Sequence, residues 1–74
     1  MVLVYTSHAL DQMAERAISK AEAQKVVDKP DMTLPSHHAP NRRRYVRTIG
    51  GRKISVIIGP SSSAVNAVIT AWSD

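Results

Sequence analysis

Apolar residues recur at helical spacing near the start of the chain, which predicts an amphipathic helix. The predicted buried stripe consists of Leu10, Met13, Ala14 and Ala17. Ser7 is positioned to cap a helix that starts at His8, and we expect this helix to end near Ala17. His8, Gln12 and Glu15 share one narrow arc of the polar face, because successive helical residues are about 100° apart.

A second short helix is predicted directly after the first. Ser19 and Glu22 have the spacing of a capping box, in which each side chain accepts a hydrogen bond from the other's backbone N–H. Pro30 ends this helix at Asp28 or Lys29. Its predicted inward residues are Ala23, Val26 and Val27.

The second half of the chain alternates in the two-residue period of β-strands. Residues 30–41 are predicted to be mostly loop, with a possible short edge strand at 32–34. Strands at 43–49 and 52–58 flank Gly50-Gly51, which predicts a two-residue hairpin that pairs Ile49 with Arg52. The predicted core side of the hairpin is Tyr45, Ile49, Ile54, Val56 and Ile58. A last strand over 64–72 would alternate strictly, with Asn66, Val68, Thr70 and Trp72 on one face and Val65, Ala67, Ile69 and Ala71 on the other.

Helices followed by strands indicate an α+β fold, with two short N-terminal helices packed on a three- to four-stranded antiparallel β-meander. The length of 74 residues predicts one domain over residues 1–74. No apolar run approaches the roughly 20 residues that span a bilayer, and the first residues lack the basic and long apolar regions of a signal peptide. The chain has no cysteine, so no disulfide or thiolate–metal site is expected.

Charge is distributed unevenly along the chain. The formal net charge is +4, but basic and acidic residues balance over residues 1–29. Between Asp31 and Asp74 there is no acidic residue, while Arg42, Arg43 and Arg44 follow one another and Arg47, Arg52 and Lys53 come soon after. A field of one sign attracts polyanions, so nucleic acid, an acidic protein and a membrane surface are all candidate partners.

Residues 6–19 resemble the opening of a family of small toxin-like domains, whose usual pattern reads Ser/Thr-x-His-Ala-x-x-Arg-Met-x-x-Arg-Gly-Ile-Ser. The resemblance continues in the Arg-Tyr hairpin and in Thr70-Ala71-Trp72 near the end. Gln12 stands where the family often has Arg, and Ala17 stands where it often has Gly. The second departure requires an alanine either to adopt or to avoid the left-handed conformation that glycine takes easily at a helix end.

Such domains resemble the barnase, EndoU, colicin and RelE (BECR) superfamily of bacterial ribonuclease toxins. The resemblance implies a RelE-like arrangement and an endoribonuclease that cleaves tRNA or mRNA without a metal or other cofactor. It also implies a cognate acidic antitoxin or immunity protein as partner, no membrane attachment, and action in the cytoplasm. Toxins of this kind occur in toxin–antitoxin modules and as domains of secreted or contact-dependent effectors.

Metal-free RNA cleavage needs a base for the 2′-OH, a cation for the phosphate and an acid for the leaving oxygen. His8 is the predicted proton-transfer residue, because it lies on the polar face of helix 1 where the positive end of the dipole favours its neutral form. Arg44 is predicted to clamp the phosphate and Thr70 to donate a hydrogen bond to it, both from the helix-free face of the sheet. The alternative is that His8 only hydrogen-bonds at the helix start and that the other two residues are ordinary strand surface.

The remaining cations are predicted to bind RNA phosphates. The predicted RNA-binding residues are Arg16, Arg42, Arg43, Arg47, Lys53 and Trp72. Trp72 and Tyr45 would stack on bases; the alternative is that Trp72 belongs to the core, as a lone tryptophan more often does. For Arg16 a structural ion pair is slightly favoured. His37-His38 is interpreted as a tolerant loop rather than a metal site, since no further ligand is suitably spaced.

Two other hypotheses remain open at this point. The chain could be a non-catalytic module that binds RNA or a protein through the basic sheet face. It could also be an inactivated or truncated member of the toxin-like family, which the missing Arg at Gln12 supports weakly.

Overall fold

The computed structural model of the chain describes residues 2–36, 41–60 and 66–73. Two helices, α1 (Ser7–Glu15) and α2 (Lys20–Asp28), are followed by most of the strands, and the α+β class is confirmed. The strands are β1 (Val4–Tyr5), β2 (Met32–Pro35), β3 (Arg43–Ile49), β4 (Arg52–Gly59) and β5 (Ala67–Ser73). The predicted His37-His38 loop and residues 64 and 65 of the predicted last strand lie outside the described residues.

The sheet has five strands in the order β1-β5-β4-β3-β2 and is mixed. Strands β2 to β5 are antiparallel neighbours, but β1 pairs in parallel with the start of β5, Val4 opposite Ala67 and Tyr5 opposite Val68. The predicted antiparallel meander of three to four strands is therefore wrong in strand number and in direction. A strand of only two residues shows no alternation, so the pattern could not reveal it.

The hairpin is the best-predicted part of the fold. Ile49 pairs with Arg52 and Tyr45 with Val56, as the two-residue turn requires. Gly50 and Gly51 both have positive φ, 59° and 79°, a conformation that side chains strongly disfavour. The predicted core side is confirmed, since Ile54, Val56 and Ile58 join the buried cluster beneath the helices and Tyr45 and Ile49 pack against it.

Strand β5 departs from strict alternation. Ile57 of β4 pairs with Thr70, whereas the next residue, Ile58, pairs with Val68, so Ile69 is an extra residue in a β-bulge. The bulge keeps Thr70 and Trp72 on the helix-free face but moves Val68 into the core cluster with Ala71. The prediction that Val68 shares the face of Thr70 is therefore wrong.

Of the stripe predicted to be buried on helix α1, only Met13 is buried. Ala9 and Met13 are buried, whereas Leu10, Ala14 and Ala17 are exposed. Thr6, not Ser7, is the N-cap, and its Oγ1 accepts a hydrogen bond from Ala9 N at 3.1 Å. Thr6 Oγ1 also donates to Val68 O at 2.9 Å, so the cap joins α1 to β5. This second bond depends on tertiary structure, which local spacing does not show.

Helix α2 follows its prediction. Ser19 and Glu22 form the capping box, with distances of 2.9 Å and 3.1 Å, and Ala23, Val26 and Val27 are all buried. Glu22 also accepts a hydrogen bond from Arg52 Nη2 at 3.0 Å. The Ser19 backbone hydrogen bond and the Arg52 charge lower the pKa of Glu22. The capping box and β4 are thus fastened together at the start of α2.

Ala17 adopts the left-handed conformation at the end of α1, with φ of 54°. Ile18 N donates to Met13 O at 2.9 Å and Ala17 N to Ala14 O at 3.3 Å, the two bonds of a Schellman motif. Arg52 Nη1 reinforces the turn by donating to Ala17 O at 3.1 Å. An alanine is therefore held where glycine would be unstrained.

Ala17→Gly is expected to raise the free energy of unfolding by about 0.5–1 kcal/mol. Relief of the left-handed conformation contributes about 1–2 kcal/mol, and the greater freedom of glycine in the unfolded chain offsets about 0.4–1 kcal/mol. Ala14→Gly, at an exposed helical position, is the matched control and should lower stability by about 0.5–1 kcal/mol. Urea unfolding of the three proteins measures both changes, and a loss of stability in Ala17→Gly would contradict the strain argument.

Candidate nucleic-acid interface

One face of the sheet carries both helices, and alternate residues of the strands form the other face. We call this second surface the basic face. Its described residues are Val4, Met32, Leu34, Arg42, Arg44, Val46, Thr48, Lys53, Ser55, Ile57, Gly59, Ala67, Thr70 and Trp72. These positions include three cations and no carboxylate. Met32 and Leu34 are exposed large apolar side chains at its β2 edge.

A side-chain bridge across β4 lies at the centre of the basic face. The Arg44 guanidinium donates to Ser55 Oγ from Nε at 3.3 Å and from Nη2 at 3.1 Å. It also lies over the Trp72 ring, with Cζ 5.0 Å from the ring centroid. Ser55 is 0% exposed, although no helix covers this face. The arginine and the tryptophan therefore form a preorganised cation–π pair above a buried hydroxyl.

The predicted phosphate residues Arg44 and Thr70 do share this face. Arg44 pairs with Ile57 of β4, and Ile57 pairs with Thr70 of β5, so the three form one row across the sheet. Ile57 is buried between them, and the two polar residues are half-buried. The Arg44 guanidinium itself reaches into the neighbouring row, where it bonds to Ser55 beside Trp72, so a phosphate bound by both Arg44 and Thr70 would lie between the two rows.

Two more cations extend the basic face along the strands. The aliphatic stem of Arg42 lies against Gly59, because a Cβ built on Gly59 would stand 2.6 Å from Arg42 Cγ. Only a glycine lets the arginine approach β4 this closely. Lys53 is exposed near the hairpin turn and pairs with Thr48. The cations thus follow the length of the hairpin rather than clustering at one point.

The other predicted site residues lie on the helix-bearing side. His8 is exposed on α1, which packs on the helix-bearing face of the sheet. Arg44 and Thr70 lie on the basic face, on the other side of the sheet. Arg16 Nη1 donates to Ala71 O at 3.0 Å, and Arg47 Nη1 donates to Lys25 O at 3.4 Å. These two arginines therefore hold α1 and α2 to the sheet. Arg43 and Tyr45 line a cavity on that side. The predicted RNA-binding residues Arg42, Lys53 and Trp72 are on the basic face.

Sequence reasoning did not identify Ser55 as part of the site. The available signal was a single hydroxyl within the apolar run of β4, between Ile54 and Val56. A buried hydroxyl needs a hydrogen-bond partner, and here the partner comes from the neighbouring strand by a diagonal contact. Such a contact depends on the side-chain conformation of Arg44, which strand register alone does not specify.

Two further properties bear on what this surface can bind. Within residues 2–36, 41–60 and 66–73, no group of three or more histidines or carboxylates is arranged to hold a metal ion. Among the same residues, neither helix has the length and apolar character needed to cross a membrane.

Fold and surface together define a small two-layer α+β domain with a cationic, aromatic-bearing sheet face. Residues 5–73 match the family described as a domain of unknown function, DUF4258. Since the match spans nearly the whole chain, the chain belongs to this family. No curated protein and no solved structure matches it.

Removing Arg44 from the Arg44–Ser55 bridge is expected to destabilise the fold more than removing Ser55. Ser55→Ala removes a hydrogen bond whose donor still reaches water, which costs about 1 kcal/mol. Arg44→Ala leaves a buried hydroxyl without a partner and uncovers Trp72, which costs about 1–3 kcal/mol. The double variant should be more stable than the sum of the two losses predicts, by about 1 kcal/mol.

Thermal unfolding of these three variants measures this coupling. Arg43→Ala is the control, because this exposed arginine has no hydrogen bond within the described part of the chain; its effect should stay within about 0.5 kcal/mol. Strict additivity of the Arg44 and Ser55 losses would contradict the bridge.

Proposed function

We propose that this chain binds single-stranded RNA on the basic face and cleaves it as a small ribonuclease toxin. The observation that carries the binding part is the Arg44–Trp72 pair over Ser55. A nucleobase can stack on a guanidinium plane as well as on an aromatic ring, and the guanidinium N–H groups that Ser55 does not use can donate to its phosphate. Double-stranded RNA is less suitable, because its bases are already stacked on one another.

Electrostatics support the same partner. Arg42, Arg44 and Lys53 spread along the face, and no acidic residue occupies the described positions of the face. Rows two residues apart on a strand are separated by roughly 7 Å, so the cations meet successive parts of an extended polyanion. A ligand of this kind releases counterions on binding, and its affinity falls as salt rises.

Lys53→Ala is expected to weaken RNA binding and to reduce the salt dependence of the binding constant. For a single strand, loss of one phosphate contact lowers the slope of log K against log salt by roughly 0.7. Lys29→Ala removes the same charge from an exposed residue just after α2, away from the basic face, and should change neither quantity. Fluorescence anisotropy with a labelled oligonucleotide at several salt concentrations makes the comparison, and equal effects of the two variants would argue against the basic face.

The cleavage part of the proposal rests on the resemblance to the BECR ribonucleases. In the reaction, a base removes the 2′-OH proton and the 2′-oxygen attacks the adjacent phosphorus. The bond from phosphorus to the 5′-oxygen then breaks, and an acid protonates that oxygen, leaving a 2′,3′-cyclic phosphate and a 5′-OH. We assign proton transfer to His8, phosphate binding to Arg44 and a supporting hydrogen bond to Thr70. This chemistry uses no metal ion.

The toxin assignment carries further proposals. We propose that the helices and sheet have a RelE-like arrangement and that the chain acts on RNA in the cytoplasm. It would be either the toxin of a toxin–antitoxin module or a domain of a larger, delivered effector. An acidic antitoxin or immunity protein would cover the basic face and exclude RNA. Inhibition that leaves RNA binding unchanged would contradict this mode of control.

A second candidate function is a non-catalytic RNA-binding module. The observation that favours it is the position of His8 on α1, in the opposite layer from Arg44 and Thr70, because a general base has to reach the proton that it removes. Arg44 is also already bonded within the protein, which suits a stacking platform as well as a catalytic clamp.

Incubation of the purified chain with total bacterial RNA in EDTA distinguishes the two functions. The ribonuclease proposal predicts discrete fragments with 5′-OH ends, abolished in His8→Ala while RNA affinity stays within about twofold, since an exposed side chain is replaced. Gln24→Ala, on α2, is a control that should keep cleavage. Intact RNA with the wild-type chain, together with retained binding, would overturn cleavage and support the module.

A further inference from the structure

A cavity of about 360 Å³ lies on the helix-bearing side of the sheet, at the end where β3 begins and β4 ends. Its floor is formed by Tyr45, Ile58 and Gly59, and Asn41, Arg43 and Asn66 stand around it. The contacts of α2 with β3 and β4 are at the hairpin end, where Arg47 bonds to Lys25 O and Arg52 to Glu22. Within the described residues, the opposite corner of the sheet is therefore concave.

Arg43, beside this cavity, differs from the other arginines of the helix-bearing side. Arg16, Arg47 and Arg52 all donate to atoms of the protein. Within the described part of the chain, neither the Arg43 guanidinium nor the side-chain amides of Asn41 and Asn66 have such a bond. Asn66 is nevertheless held in place, because its carbonyl accepts a hydrogen bond from Val4 N at 3.1 Å. The cavity thus combines an apolar floor with an available cation and two available amides.

We propose that this cavity binds one nucleotide unit of RNA. The base lies against the Tyr45 ring and Ile58, the phosphate accepts from Arg43, and the amides of Asn41 and Asn66 read the polar edge of the base. An amide carries both donors and an acceptor, which is the complement that a base edge requires. The volume is at the lower end of small-ligand sites, roughly 300–1,000 Å³, so it suits one nucleotide and not several.

This inference deepens the proposed function, on which it rests, by giving the RNA-binding domain a separate pocket for one base. Arg43 and Arg44 are consecutive, and they project to opposite faces at the same end of the sheet. A strand held at Arg44 on the basic face can therefore turn around this end and place a neighbouring nucleotide in the cavity. Selectivity for a base would come from the cavity, whereas the basic face would bind without regard to sequence.

The test is an NMR titration of the isotope-labelled chain with each of the four ribonucleoside 3′-monophosphates and, separately, with inorganic phosphate. We expect saturable shifts at Gly59 and at the side-chain amides of Asn41 and Asn66 with at least one nucleotide, and at least tenfold weaker binding of phosphate. Arg43→Ala should weaken nucleotide binding about tenfold, because one charge-assisted hydrogen bond is lost. Lys29→Ala removes one positive charge from an exposed residue just after α2, outside both the cavity and the basic face, and is the matched control that should leave this affinity unchanged.

Absence of saturable shifts at the cavity with all four nucleotides would overturn the inference, as would equal binding of phosphate and nucleotide. The same samples titrated with single-stranded RNA report on the basic face through the Trp72 indole signal. A Trp72 response without any cavity response refutes the nucleotide site alone. A cavity response without a Trp72 response supports the nucleotide site and counts against the proposed RNA face.

Discussion

Strand β4 has to be buried on both faces, although helices cover only one of them. Ile54, Val56 and Ile58 pack beneath α1 and α2, whereas Ser55 and Ile57 face the other way and are buried as well. On that second face the cover comes from side chains of neighbouring strands. Arg44 reaches across β4 to Ser55 and Trp72, and the stem of Arg42 lies against Gly59. The central strand is thus shielded by the same cations that give the surface its charge.

This constraint links stability to function. Long cationic side chains can cover apolar surface with their stems while their charged ends stay accessible. An arginine already held by a hydroxyl and an aromatic ring loses little further freedom when it binds a phosphate. Three other arginines, Arg16, Arg47 and Arg52, serve a different purpose, since they fasten the helices and their connection to the sheet. Fewer cationic groups are therefore available to a partner than the net charge of the chain suggests.

Local patterns predicted the local parts of this fold. The Gly50-Gly51 turn determined the hairpin register, and the Ser19–Glu22 spacing determined the start of α2, because each depends on residues close in sequence. The parallel pairing of Val4 with Ala67 joins distant parts of the chain and involves too few residues to show a period. The bulge at Ile69 likewise depends on how β5 fits β4.

The same distinction between local pattern and tertiary contact separates the features of the candidate site that were predicted from those that were missed. Strand alternation predicted that Arg44, Thr70 and Trp72 share a face, and this is confirmed. The bridge through Ser55 was missed because it is a diagonal contact between side chains. Arg47 was predicted to bind RNA from its charge, and Arg16 was carried over from the family pattern with a structural role favoured; both guanidinium groups donate to backbone carbonyls. Residue type indicates a cation, but only tertiary structure shows what that cation contacts.

The central claim is that the Arg44–Trp72 pair is the surface that receives RNA. Trp72 is the sole tryptophan of the chain, so its fluorescence reports on this one position. We would titrate the chain with a short single-stranded RNA while following Trp72 emission and, in parallel, binding by anisotropy. Saturable quenching that follows the binding curve and weakens with added salt is the predicted result. Binding by anisotropy with unchanged Trp72 emission would contradict the claim, because the RNA would then lie elsewhere on the molecule.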